Sequence, residues 1–114
     1  MIKSNIPVEA IIMLAPHTMM ADAYFAGDKL PNLVRANLTK YQKVTVILNA
    51  GEYADEEALA EECFDLTNNP SRQDERVKAY GRGRSLSVGD VVDLGNNLFN
   101  GGQWLCAPMG WVKL

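Results

Sequence analysis

Between Arg82 and Leu94 the chain reads Arg-Gly-Arg-Ser-Leu-Ser-Val-Gly-Asp-Val-Val-Asp-Leu, in which Leu86, Val88, Val92 and Leu94 share one parity. Side chains alternate between the two faces of a strand, so the spacing predicts an apolar strand face that the rest of the chain must cover. Gly89-Asp90 falls where such a strand would bend. Glycine takes backbone angles closed to other residues, and an Asp carboxylate accepts from nearby backbone N–H groups. Asn96-Asn97 and Gly101-Gly102 follow with turn chemistry, and Gln103-Trp104-Leu105-Cys106-Ala107 reads as the return strand of a hairpin.

Upstream, Val8 to Leu14 is β-branched at its centre and ends shortly before Pro16, which fits a buried strand. Met19 to Ala26 is compatible with a short helix or a covering loop, stopped by Gly27-Asp28. Leu30, Leu33, Val34 and Leu38 recur at helical spacing around Pro31, predicting a helix from Pro31 to Lys40. Lys43 to Leu48 is the clearest strand, ended by Asn49-Ala50-Gly51. Asp55, followed by Glu56 and Glu57, starts an amphipathic helix running to Leu66, and Asn68-Asn69-Pro70-Ser71 ends it in a turn.

The fold these segments predict is α+β. Val8 to Leu14, Lys43 to Leu48, Leu86 to Leu94 and Gln103 to Cys106 form a small, mainly antiparallel, half-open barrel-like sheet covered by two or three short helices. A parallel pairing of the first two strands is also allowed, because their connection exceeds a dozen residues. Leu86, Val88, Val92, Leu94, Val46, Leu48, Ile12 and Trp104 are the expected core. At 114 residues the chain is one domain, 1–114, able to bury a core without metal or disulfide staples.

A net charge of −3 and a pI near 5.0 argue against holding nucleic acid by bulk charge. Charge is nevertheless uneven. Seven of the fourteen acidic residues lie between Glu52 and Asp65, with no basic residue among them, whereas Arg72, Arg76, Lys78, Arg82 and Arg84 are five of the eleven basic ones. Two uses of the arginines remain open. They pair with the acidic helix, or they contact a phosphate backbone or an acidic partner, with Gly81 and Gly83 permitting close approach. The Gly81-Arg82-Gly83-Arg84 segment lacks the context of a nucleotide-cradling loop.

His17 is the only histidine, and no pattern around it marks a nucleophile or a metal set. Glu56, Glu57, Glu61 and Glu62 read as a hydrated stripe in preference to paired catalytic carboxylates. Cys63 and Cys106 lie in no metal or redox spacing and are expected to be reduced, half-buried and unbridged. No catalytic residue, cofactor or metal is therefore assigned. The apolar run Ile6 to Ala15 is broken by Pro7 and Glu9, which supports neither a membrane anchor nor a secretory signal and points to the cytoplasm. One or both of Trp104 and Trp111 are expected to be core, with Trp111 a candidate binding anchor together with the arginines.

Three segments carry a resemblance: Leu66 to Gln73, Tyr80 to Val92 and Trp104 to Trp111. Over residues 66–111 they resemble small uncharacterised proteins of bacteriophages, plasmids and integrated elements, and the Arg-Ser-Leu-Ser-Val-Gly-Asp-Val-Val core is similar to the YodL-type domains of mobile elements. The resemblance brings no catalytic residues. It implies an accessory protein in a bacterial host that binds a host macromolecule, with a host protein as the leading partner and an anti-defence or regulatory role. The alternative is a small nucleic-acid-binding module using Arg72, Arg76, Arg82 and Arg84, and an enzyme of unknown type comes third.

Overall fold

A computed structural model describes residues 1–95 and 101–114. The expected turn at Asn96-Asn97 lies outside the described residues. Within them the strands are β1 (Ile2–Ser4), β2 (Val8–Leu14), β3 (Gln42–Leu48), β4 (Gly51–Tyr53), β5 (Val91–Asp93), β6 (Gln103–Ala107) and β7 (Gly110–Lys113). The helices are α1 (Met20–Phe25), α2 (Leu30–Asn37), α3 (Glu56–Asn68) and α4 (Gln73–Ala79).

The fold is α+β, with five strands in the order β3-β2-β5-β6-β7 and every neighbour antiparallel. Beyond the break at Asn49-Ala50, β1 and β4 pair as a separate two-stranded ladder. The parallel option for the first two strands is thus overturned: β2 and β3 pair antiparallel along their full length, Val8 opposite Leu48 and Leu14 opposite Gln42. Neither sheet is closed, in agreement with the small, half-open antiparallel arrangement expected.

Helices cover both of its faces. On one side Val8, Ala10, Ile12, Val46, Leu48, Val92 and Leu94 pack with Leu59, Ala60, Cys63 and Leu66 of α3. On the other, Met13, Val91 and Leu105 pack with Ala23 of α1 and with Leu30 and Val34 of α2. Burial on both faces explains why β2 reads as an almost unbroken apolar run. Asp55 caps α3 by accepting from Ala58 N at 2.8 Å, and Leu59, Cys63 and Leu66 then fall on one helical stripe.

The stretch Leu86 to Leu94 is not one strand. Only Val91–Asp93 pairs with β2, and a bulge precedes it in which Gly89 and Asp90 together face Cys106. Gly89 N donates to Cys106 O, while Cys106 N donates to Asp90 O, both at 2.9 Å. Gly89 sits at φ +98°, and a Cβ there would meet the Cβ of Ala23 at 2.8 Å, so both conformation and space require glycine. The turn before the bulge, closed by Asp90 N donating to Ser87 O at 3.0 Å, takes one residue off the expected face. Leu86, Val92 and Leu94 join the α3 core as expected, but Val88 packs half-buried against the opposite core. Trp104 is also only half-buried, because β6 lies near the sheet edge.

Met19 to Ala26 resolves as a helix. The segment after Pro70, expected as a turn, tightens into one 3-10 turn, Pro70–Arg72, and continues into α4. The helix expected over Pro31 to Lys40 begins one residue earlier as α2 and finishes as a 3-10 turn at Leu38–Lys40. No helix among the described residues is long and apolar enough to cross a membrane.

Candidate functional site

The four candidate arginines occupy the 3-10 turn, α4 and the loop that leads into the Gly89-Asp90 bulge. Arg72 is enclosed by carboxylates: it donates to Asp65 Oδ2 at 2.8 Å, to Glu75 Oε2 at 2.8 Å and to Glu62. Its hydrogen bonds to Glu75, Glu62 and Asp65 hold its proton more tightly than usual, and Arg72 in turn draws the Glu75 carboxyl below its ordinary range.

Arg76 is spent on backbone. Its guanidinium donates to Thr67 O at 2.6 Å, Gly83 O at 2.5 Å and Ser85 Oγ at 3.1 Å, and lies 5.9 Å from the centre of the Tyr80 ring. The Tyr80 hydroxyl donates to Arg84 O at 2.7 Å, which folds the loop back on the end of α4. A Cβ at Gly83 would come within 2.6 Å of the Tyr80 hydroxyl oxygen, so Gly83 serves close packing inside the loop.

Arg84 grips Asp90, with Nη1 to Oδ2 at 2.7 Å and Nη2 to Oδ1 at 2.8 Å, and it also donates to Ala15 O and Ser85 O. These bonds occupy the terminal nitrogens on which bidentate phosphate recognition depends. Arg82 is different. It is exposed, and among the described residues it makes no hydrogen bond or ion pair.

The arginine segment therefore divides. Arg72 pairs with the acidic helix, Arg84 pairs with Asp90, Arg76 ties the loop together, and Arg82 alone points to solvent. Trp111 is half-buried, with its indole N–H donating to Glu61 Oε2 at 2.8 Å. Trp104 donates likewise to Glu56 Oε1 at 3.1 Å, so part of the acidic stripe is held by tryptophan. Trp111 is brought to α3, away from the arginine loop's contacts.

His17 is exposed in the 3-10 turn after β2. Cys63 and Cys106 are buried and free. Among the described residues no group of three or more His, Cys, Asp or Glu side chains could hold a metal ion.

Sequence reasoning missed an aromatic surface on α1. Tyr24 and Phe25 are 62% and 82% exposed, and their rings meet edge to face with centres 5.1 Å apart. Beside them opens a groove of about 320 Å³ lined by Met20, Tyr24, Phe64, Asn68, Leu86 and Val88. The signal was present in the apolar count of Met19 to Ala26. A six-residue helix buries one narrow stripe, taken here by Ala23, and the large residues left over must face outward. No protein-family model, curated protein or solved structure matches the chain.

Proposed function

We propose that this chain is a non-enzymatic accessory protein of a phage or mobile element that binds a host protein in the bacterial cytoplasm and acts there against a defence system or on regulation. The observation that carries the reading is the Tyr24–Phe25 pair beside an apolar groove. Aromatic side chains next to an apolar pocket are the usual place for binding energy to concentrate, and water is the poorest neighbour for them. The resemblance over residues 66–111 supplies the genomic setting.

A nucleic-acid module is the weaker alternative, because three of its four arginines are occupied inside the fold and the chain is acidic overall. Capture from nuclease-treated host lysate tests the proposal when run side by side on the parent and on Tyr24→Ser/Phe25→Ser. A host protein retained by the parent and lost by the folded variant is the expected result. Equal retention by both, or a salt-sensitive shift of RNA or DNA by the parent, overturns it.

A further inference from the structure

We propose that β3 is the seam of a symmetric dimer in which two copies join edge to edge into one continuous sheet. The inference begins with hydrogen-bond parity. Cys106 N bonds Asp90 O and Leu94 N bonds Gly102 O, so the even-numbered residues of β5 are those bonded to β6. Antiparallel ladders alternate, which leaves Val91 and Asp93 to bond β2 through Met13 and Ile11. The even-numbered residues of β2 must then bond β3, and their partners there are Gln42, Val44, Val46 and Leu48. Lys43, Thr45 and Ile47 therefore present their N–H and C=O groups outward along the edge.

Among the described residues nothing pairs with that edge. The strand is seven residues long, in unbroken register, with neither proline nor bulge, and the side chains of Lys43, Thr45 and Ile47 are exposed. A long regular edge of this kind is a template for another strand. The opposite edge, β7, is shorter and contains Gly110.

A second copy fits the edge because the edge is self-complementary. A two-fold axis at Thr45 places Thr45 opposite Thr45 and Lys43 opposite Ile47, with no like charges facing each other. On the other face the half-buried Val44 lies opposite Val46 of the second copy, a position already enclosed within its own chain, so the seam there rests on the backbone. Charge also selects this register. Glu9 is the cross-strand neighbour of Ile47, so each row on the exposed face runs Glu9, Ile47, then Lys43 of the second copy. Glu9 and Lys43 are both exposed, and neither takes part in an ion pair among the described residues. Within one chain they lie at opposite ends of the ladder. Across the seam their Cα atoms are about 10 Å apart, two strand spacings, which the two stems reaching over Ile47 can close.

Sedimentation equilibrium over a concentration series tests the seam. The parent is expected to be dimeric at micromolar concentration. Thr45→Pro should be monomeric yet folded, because the Thr45 N–H points outward and its loss costs no bond to β2. Lys43→Glu, which sets like charges across both rows, should weaken the dimer by about tenfold. Adding Glu9→Lys to that variant should restore it, a rescue that a change in monomer folding would not give. A parent that stays monomeric at about 100 µM overturns the proposal. So does a dimer that survives Thr45→Pro in a folded chain. If Thr45→Pro does not fold, the charge pair decides alone, and Lys43→Glu without effect, or a double variant without rescue, overturns it.

Discussion

Arg84 closes on Asp90 six residues ahead of it, with each terminal guanidinium nitrogen on its own carboxylate oxygen at 2.7 and 2.8 Å. Asp90 is wholly buried, and it further accepts from Ala15 N and Ser87 N, both at 2.8 Å. One carboxylate thus joins the end of β2, the loop and the bulge. The spacing that most marks this chain, Arg84 to Asp90, is a structural clamp. Asp90→Ala removes the acceptor and leaves two backbone donors and a guanidinium unpaired beside the core. Breaking a buried pair from one side costs about 3 to 5 kcal/mol, and urea unfolding should show a loss in that range. Arg84→Ala should cost less, because its side chain keeps 31% of its surface in water and Asp90 retains its two backbone donors.

Arg72 and Arg82 should separate cleanly. Arg72→Ala leaves Glu62, Asp65 and Glu75 facing one another without their shared cation. A loss of about 1 to 2 kcal/mol, relieved by added salt, is the expected outcome of melts at two ionic strengths. Arg82→Ala removes no hydrogen bond or ion pair among the described residues and should move stability by no more than about 0.5 kcal/mol. It is also the substitution that reports most directly on nucleic acid. If a weak complex forms at low salt, losing Arg82 should reduce the salt slope by about one phosphate contact.

Val88 and Val92 share a parity in the sequence but differ in the fold, and their substitutions should differ accordingly. Val92 is fully buried in the α3 core, so Val92→Ala should cost about 1 to 3 kcal/mol through lost burial and residual cavity. Val88 lies half-buried at the turn before the bulge, and Val88→Ala should cost less than about 1 kcal/mol. Equal losses in chemical denaturation would mean that both sit on one strand face after all.

This difference shows what was legible in the chain. Val8 to Leu14 and the helix after Asp55 stand out because long runs carry repeated evidence of their period. The Gly89-Asp90 bend could also be read, since glycine and a capping carboxylate announce it. The departure of Val88 could not be, because the turn from Ser87 to Asp90 swings that one side chain to the opposite core and returns Val92 and Leu94 to the face of Leu86 without changing any residue type. The short strands Ile2–Ser4, Gly51–Tyr53 and Gly110–Lys113 are too brief to show a period and form only against their neighbours. The pairing of Arg72 with the acidic helix was one of two open uses of the arginines, whereas the clamp between Arg84 and Asp90 needed the loop's path.

The thiols should be silent in the native protein. Burial pushes both Cys63 and Cys106 up to about 12, far from the thiolate form that reacts at neutral pH. Labelling with an aromatic disulfide at pH 8 should be slow under native conditions and should yield two thiols in denaturant, since neither is bridged. Rapid native labelling of Cys63 would require α3 to lift from the sheet.

Acid should loosen the contact between α3 and the β6–β7 hairpin. Glu56 accepts from the Trp104 indole N–H at 3.1 Å and from Gly102 N at 3.2 Å, and Lys113 lies 3.5 Å away. The bond from Trp104, then that from Gly102, holds the Glu56 carboxyl below its ordinary value of 4.5. A group with a lowered folded pKa binds fewer protons in the native state than in the unfolded one. Its stabilisation is complete above the unfolded value and is lost as pH falls through the folded value. Stability should therefore decline from about pH 5 downward. Glu56→Gln keeps an acceptor for Trp104 but no titrating group, so the variant should show a shallower decline over that window while being less stable at neutral pH. Trp104 emission, followed by urea unfolding at a series of acid pH values in a Trp111→Phe background, reads the contact directly. An unchanged acid slope in Glu56→Gln would place the titration on other carboxylates, with Glu75 beside Arg72 as the next to substitute.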